Sequence, residues 1–210
     1  MIKTIIFDLG GVLVSLNKER CLNAFSNTLK FPNFGDYLNP YAQSGFFAKF
    51  ENGDMSSAEF RDIIREKSRA KELSDKQIDD ALCAFLTDVE SKKVKMLLEL
   101  KKNYRLLLLS NNNPIAWEGC KTLFREASGG IGIEEVFDKL YLSFQMNLSK
   151  PGEAIFNELL VKEGILPHES LFIDDAPKNI ETAKKMGFNV LLYNVEDDLC
   201  CKVAEILSND

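Results

Sequence analysis

Polar side chains of complementary chemistry follow four apolar segments of the sequence, at the points where strands would end. They are Asp8 after Thr4–Phe7, Ser110 and Asn111 after Tyr104–Leu109, Lys150 beyond a short strand near 140–142, and Asp174 with Asp175 after Leu171–Ile173. Because the carboxyl ends of parallel strands meet at one edge of an open α/β sheet, we expect these side chains to converge there. A single cluster is compatible with a turn or a helix cap, but four together predict one site.

The three carboxylates of this group, those of Asp8, Asp174 and Asp175, indicate a divalent cation. Like charges at close range raise one another's pKa and cost free energy. A hard cation removes this cost, and ligands that are all oxygen atoms suit Mg²⁺. We therefore predict Mg²⁺ as the cofactor.

The remaining side chains supply what a phosphoryl group needs. Lys150 adds a second positive charge, and Ser110 and Asn111 add neutral hydrogen-bond donors. Phosphoryl transfer depends mostly on positioning and on neutralisation of charge. The combined set of side chains therefore predicts chemistry on a phosphate ester.

The strands and helices that position these residues alternate along most of the chain. Such alternation requires a parallel sheet with right-handed crossovers, here a doubly wound α/β core. The stretch from about residue 15 to residue 90 differs, because it contains helical patterns and no long β-branched run; one of its helices is predicted from the cap residue Ser74 through Leu86. We predict a core domain over 1–15 and 90–210, with an inserted helical cap domain over 16–89.

Composition limits the partners and the compartment. The chain has 210 residues and a net charge of −6, which disfavours general nucleic-acid binding. It has no leader-like amino-terminal segment and no apolar run near the ~20 residues of a membrane span. Five cysteines without metal-ligand spacing and a single histidine disfavour a zinc site or a disulfide framework. We expect a cytoplasmic protein with reduced thiols that binds neither nucleic acid nor membrane; no pattern predicts its oligomeric state.

The chain resembles the haloacid dehalogenase-like (HAD) hydrolase superfamily over essentially its whole length, through four motifs in the family's order and spacing. They are Phe7–Leu13, Leu109–Asn111, Lys150 with Pro151, and Phe172–Ile180 followed by Gly187. The resemblance implies a Rossmann-like core, with the helical insertion as a C1 cap. It also implies a Mg²⁺-dependent phosphomonoester hydrolase for a small phosphorylated metabolite. Within the superfamily the chain is most similar to small bacterial phosphatases that act on sugar phosphates such as glucose 1-phosphate.

The resemblance further implies which residues carry the reaction. Asp8 would attack phosphorus and form an aspartyl-phosphate, a known covalent strategy for carboxylates. Lys150 would orient this nucleophile and offset charge. Ser110 and Asn111 would hold the oxygens of the phosphoryl group that is transferred.

The same resemblance implies the metal ligands. Asp175 would bind Mg²⁺ directly, Asp174 directly or through water, and Asp8 and the backbone carbonyl of Gly10 would complete the protein's share of the ligands.

Gly10 is also the main departure from the family pattern. The family usually has a second aspartate at this position, two residues after the nucleophile, as general acid and base, and such an acid is typically worth about 10²–10⁴-fold in rate. Its replacement leaves three possibilities: a substrate with a good leaving group, a cap residue or water acting as the acid, or binding of a phospho-ligand with little turnover. A 2-haloacid dehalogenase, which uses the same nucleophile on carbon, is a further alternative, but it has no need of the Asp174–Asp175 pair.

Overall fold

The structure is a computed structural model that describes residues 1–38, 45–70 and 72–209. Its strands are β1 (Thr4–Phe7), β2 (Val14–Leu16), β3 (Leu86–Val89), β4 (Arg105–Ser110), β5 (Lys139–Leu142), β6 (Ser170–Asp174) and β7 (Asn189–Leu192). Its helices are α1 (Lys18–Asn27), α2 (Gly45–Asn52), α3 (Ser57–Lys67), α4 (Asp75–Cys83), α5 (Ser91–Leu100), α6 (Pro114–Ala127), α7 (Ile133–Val136), α8 (Ser143–Met146), α9 (Glu153–Glu163), α10 (Pro177–Lys185) and α11 (Leu199–Ser208), with 3₁₀ turns at Pro32–Tyr37 and Pro167–Glu169.

Five parallel strands form the central sheet in the order β5-β4-β1-β6-β7. The strand β1 is the central one, and all four of its residues are buried, as expected for an apolar run covered on both faces. Its neighbours are in register with it, so that Phe7 lies opposite Leu108 on one side and Ile173 on the other. The predicted doubly wound parallel core is therefore confirmed.

Helices cover both faces of this sheet. Alternate residues of β1 point to opposite faces, and Ile5 and Phe7 pack with the apolar residues of α5, α6, α7 and α11. Ile6 packs on the other face, against α9 and α10. The loops that follow β1, β4 and β6 consequently leave the sheet at one edge. No helix in the described ranges is both long enough and apolar enough to cross a membrane.

The helices between β2 and β3 pack around a separate apolar cluster that is rich in phenylalanine and that Ile115 of α6 joins. Phe46, Phe47 and Phe50 of α2 are buried in it. Two of its helices begin with capping boxes, Ser56 with Glu59 and Ser74 with Gln77, which satisfy amide groups that the first helical turn leaves free.

The connections between these helices and the sheet differ from the prediction. The insert was predicted to be helical throughout, but β2 and β3 pair as an antiparallel ribbon, with Val14 opposite Val89. The predicted end of one helix at Leu86 was wrong, because α4 ends at Cys83 and Leu86 is the first residue of β3. Tertiary pairing explains the difference: the Thr87 hydroxyl also donates to the Ser15 carbonyl across the ribbon, at 2.9 Å. The boundaries between the core domain and the cap domain at residues 15/16 and 89/90 stay a prediction.

Candidate active site

Asp8 lies directly beyond β1, where three adjacent strands end. Its backbone N–H donates to the Ile173 carbonyl of β6 at 2.9 Å, which extends the ladder and fixes the residue. Its side chain is buried, and its Oδ1 atom lies 2.9 Å from the Nζ atom of Lys150. The ammonium also contacts Oδ2 of Asp174 at 2.6 Å. Lys150 therefore joins carboxylates from two neighbouring strands in one buried ion-pair cluster.

Asp174 is fully buried, and its two carboxylate oxygens have several donors. Oδ1 accepts from the backbone N–H of Ala176 at 2.8 Å, and the Asn179 amide nitrogen lies 3.0 Å from both oxygens. With the Lys150 contact, these bonds hold the carboxylate in one orientation. A buried charge with this many partners is compensated locally, so Asp174 acts as the anchor of Lys150.

Burial and neighbouring charges shift the pKa of each group in the cluster. Burial raises the pKa of Asp8 to about 7, against the opposing effect of Lys150 and with the support of Asp174 and Asp175. Burial alone would lower the pKa of Lys150, but the two carboxylates that it contacts raise it, so the side chain is a permanent cation. Burial and the adjacent Asp174 also raise the pKa of Asp175. An ionised Asp8 therefore needs further positive charge.

The carboxylates of Asp8, Asp174 and Asp175 fit a divalent cation. One oxygen atom of each lies within 4.8 Å of the others. When all three are ionised, the single ammonium of Lys150 does not neutralise them, and all the donor atoms are oxygens, which suits Mg²⁺. Asp175, unlike Asp174, is exposed to solvent. Its carboxylate is thus the one with coordination capacity to spare.

The lysine loop is held by the residue that follows β4. The Asn111 side-chain amide donates to the Lys150 carbonyl at 2.8 Å and accepts from the Lys150 N–H at 2.9 Å. This pair of bonds leaves the amide one further hydrogen to donate. The neighbouring Ser110 is buried as well, and it lines a cavity at this edge of the sheet. Asn111 therefore positions Lys150, a use that the sequence did not predict.

The two glycines after the nucleophile have different surroundings. Gly11 has φ +79°, and a Cβ atom there would lie 2.6 Å from Cγ of Asp175. A side chain is excluded at this position both by the backbone conformation and by the carboxylate. At Gly10 no such conformation is found, and a Cβ atom would meet the flexible Leu16 side chain at 3.2 Å. Position 10, where the family usually has its acidic residue, can therefore accommodate a larger side chain.

Comparison with known proteins agrees with this geometry. A family model of the haloacid dehalogenase-like hydrolases matches residues 2–187. The chain belongs to this family. The D-ribitol-5-phosphate phosphatase of Bacteroides thetaiotaomicron is 35% identical over 190 residues, which are 90% of each chain. Among HAD structures, a variant of a Bacteroides thetaiotaomicron enzyme in complex with magnesium and inorganic phosphate has a TM-score of 0.91 and 36% identity, covering 97% of this chain and 99% of that one. A predicted HAD-like hydrolase from Porphyromonas gingivalis has a TM-score of 0.90 and 36% identity, with 99% and 98% covered.

The HAD site opens into a cavity of about 500 Å³ between the sheet edge and the inserted helices. Its core side is polar and includes Asp8, Ser110 and Asp175. Its other side is mostly apolar, with residues such as Phe47 and Leu82. A cavity of this size suits a small ligand with one charged end.

All the site residues expected from the sequence lie at this cavity or in the ion-pair cluster beneath it. Sequence reasoning missed Asn179, which secures Asp174, and Ser143, which joins the core to α2. It also missed Glu51, a carboxylate from α2 in the cavity wall. The signal for Asn179 was its place five residues after Asp174 in the fourth motif, whereas no local pattern marks Glu51.

Proposed function

We propose that this HAD protein is a Mg²⁺-dependent phosphomonoester hydrolase that acts on a small phosphorylated metabolite, of the sugar phosphate or sugar alcohol phosphate class. The observation that carries the proposal is the buried cluster of Asp8, Lys150 and Asp174 at the floor of the cavity. The phosphatase from Bacteroides thetaiotaomicron supports the substrate class. The structure solved with magnesium and inorganic phosphate supports the cofactor and the product.

The residues divide the work as follows in this proposal. Asp8 attacks phosphorus through Oδ1 or Oδ2 and becomes an aspartyl-phosphate, which water then hydrolyses. Lys150 orients the attacking carboxylate, and Ser110 and Asn111 donate to the phosphoryl oxygens.

The metal ligands in this proposal are Asp8, Asp175 and the Gly10 carbonyl, with Asp174 reaching the metal through water because its oxygens already have donors. Bound Mg²⁺ supplies positive charge that offsets the phosphate and lowers the pKa of the nucleophile.

The five free cysteines support a cytoplasmic location for the enzyme, and the net charge of −6 supports a small metabolite rather than nucleic acid as its partner. A dehalogenase is less well supported. Carbon–halogen cleavage involves no phosphate dianion, so it needs no metal ion held by three carboxylates.

A screen of phosphorylated metabolites tests the proposal. The purified protein is incubated with Mg²⁺ and each ester, including ribitol 5-phosphate, glucose 1-phosphate and p-nitrophenyl phosphate, and free phosphate is measured. We expect release that EDTA abolishes and that Asp8→Asn lacks. Saturable binding without release above background would favour the phospho-ligand binder, and chloride release from 2-chloropropionate would favour the dehalogenase.

A further inference from the structure

Among the described residues, the core contributes no carboxylic acid that is free to protonate the departing oxygen. Gly10 stands where the usual aspartate would be, and the carboxylates of Asp8 and Asp175 are assigned to the nucleophile and the metal. Loss of an alkoxide from phosphorus is slow without a proton, because alcohols are weak acids. An acid that reaches the cavity from outside the core would remove this difficulty.

Glu51 is a carboxylic acid in the wall of the same cavity. It belongs to the last turn of α2 and lines the cavity together with Asp8 and Gly10. Among the described residues, Asp8, Asp175 and Glu51 are the acidic ones that line it, and Glu51 is the one that the inserted helices contribute. The lining of the cavity on that side also includes Lys18 and apolar residues such as Phe47.

The backbone of Glu51 is fixed by bonds between α2 and the core. The Ser143 hydroxyl donates to the Glu51 carbonyl at 2.6 Å and accepts from the Asn112 N–H at 2.9 Å. A Cβ atom at Gly53 would lie 2.8 Å from the carbonyl carbon of Phe144, so the chain after α2 runs directly on the core.

A second set of bonds extends this junction to the lysine loop. The Asn52 side chain accepts from the Ser149 hydroxyl at 3.0 Å, and the Asn52 carbonyl accepts from Asn147 at 3.1 Å. Ser149 immediately precedes Lys150, which contacts Asp8. The end of α2 is thus connected to the nucleophile through only a few bonds.

The surroundings of Glu51 favour its protonated form. The side chain is only partly open to the cavity, and burial is the cause that raises its pKa to about 8. At neutral pH it carries a proton that it can donate.

We propose that Glu51 is the general acid and base of this enzyme, in place of the aspartate missing at Gly10; this inference rests on the phosphatase function proposed above. In the first step, an Asp8 oxygen forms a bond to phosphorus and the bond from phosphorus to the ester oxygen breaks. The ester oxygen keeps the electron pair and takes the proton of Glu51, which releases the alcohol. In the second step, Glu51 takes a proton from water as its oxygen attacks phosphorus, and the bond to Asp8 breaks to give inorganic phosphate.

The dependence of rate on the leaving group tests this role. Phosphoryl transfer is measured in single turnover, with Mg²⁺, on esters from primary alkyl phosphates to p-nitrophenyl phosphate. For Glu51→Gln we expect a loss of about 10²–10⁴-fold on alkyl esters and little change on p-nitrophenyl phosphate, whose leaving group needs no proton. Glu66→Gln, an exposed residue of the inserted helix α3 outside the cavity wall, is the matched control and should match the wild type on every ester.

A double variant separates proton donation from a structural effect. Gly10→Asp in the Glu51→Gln background restores an acid at the family's usual position, where the contact with Leu16 is the main obstacle. We expect it to recover the alkyl esters selectively.

Equal losses on alkyl and aryl esters in Glu51→Gln, or a change in KM with unchanged kcat, would overturn the acid role. If the wild type releases phosphate but Glu51→Gln behaves like Glu66→Gln on alkyl esters, only the role of Glu51 falls. If the wild type releases no phosphate even from p-nitrophenyl phosphate, the phosphatase function itself falls, and this inference with it.

Discussion

Replacing Gly11 with alanine should disturb the metal site far more than the fold. The new Cβ atom would lie 2.6 Å from Cγ of Asp175, whereas carbon atoms at rest are about 3.5–4.0 Å apart. The Asp175 carboxylate must therefore move by about 1 Å, which its exposed side chain can do by rotation. A displacement of this size in an active site can cost about 10²-fold in rate.

Gly164 provides the control for backbone strain. It ends α9 in the left-handed conformation with φ +61°, close to the φ of +79° at Gly11. Apart from its own chain neighbours, no atom of the described residues lies within 4 Å of its Cβ position. Alanine in this conformation costs about 1–2 kcal/mol at either site, which is about 2–8 °C in Tm for a chain of this length.

The assay compares Gly11→Ala and Gly164→Ala in Tm and in a Mg²⁺ titration of p-nitrophenyl phosphate hydrolysis. Both should lose similar stability, but only Gly11→Ala should require more Mg²⁺ and lose about two orders of magnitude in kcat/KM. If the two variants have Mg²⁺ activation constants and rates within about threefold of each other, Asp175 does not bind the metal from the position described.

Three further variants test the groups around the cavity. Asp8→Asn should keep its fold but lose turnover, because an amide cannot attack phosphorus; a kcat above about a tenth of the wild-type value would contradict the covalent role. Asp175→Ala should raise the Mg²⁺ activation constant more than Asp174→Ala does, and equal activation constants would show that the direct ligand is misassigned. Asp174→Ala leaves the buried Lys150 with one carboxylate, so its free energy of unfolding in urea should fall by about 3–5 kcal/mol. Glu51 has a folded pKa of about 8 against an ordinary value of 4.5, so the folded state holds the extra proton and stability is lost as pH rises through that interval. The Tm of Glu51→Gln should therefore fall less than that of the wild type between pH 5 and pH 8.5, and parallel Tm curves would refute the raised pKa. The other charged groups that line the cavity are the same in both proteins. Those groups are Asp8, Lys18, Lys150, Asp175 and Lys178.

The core and its site could be predicted because their signals are local. An apolar run that ends in a carboxylate identifies both β1 and Asp8, and the same holds for β6 and Asp174. Parallel pairing then brings such strand ends together without any further information from the sequence.

The parts that escaped prediction depend on contacts between distant segments. The strand β3 is four residues long and is separated from α4 by only two residues. Its partner β2 lies seventy or more residues earlier in the chain, so the pairing leaves no local pattern. In the sequence, Glu51 resembles any other charged residue of an amphipathic helix. Only the Ser143 bond shows that the end of α2 lies against the core. The use of Asn111 to hold Lys150 likewise joins two loops that lie 39 residues apart.

The β2–β3 ribbon makes the inserted helices a side branch of the chain. Val14 and Val89 lie opposite each other, so the polypeptide leaves the sheet domain and returns to it at one place. Closing a longer loop costs only slightly more entropy than closing a short one, since the cost grows with the logarithm of length. The branch can thus be lengthened, shortened or exchanged without rerouting any strand of the sheet. Exchange of the inserted helices would change the cavity wall that faces Asp8, including Glu51, while Asp8 and Asp174 would stay at the ends of their strands.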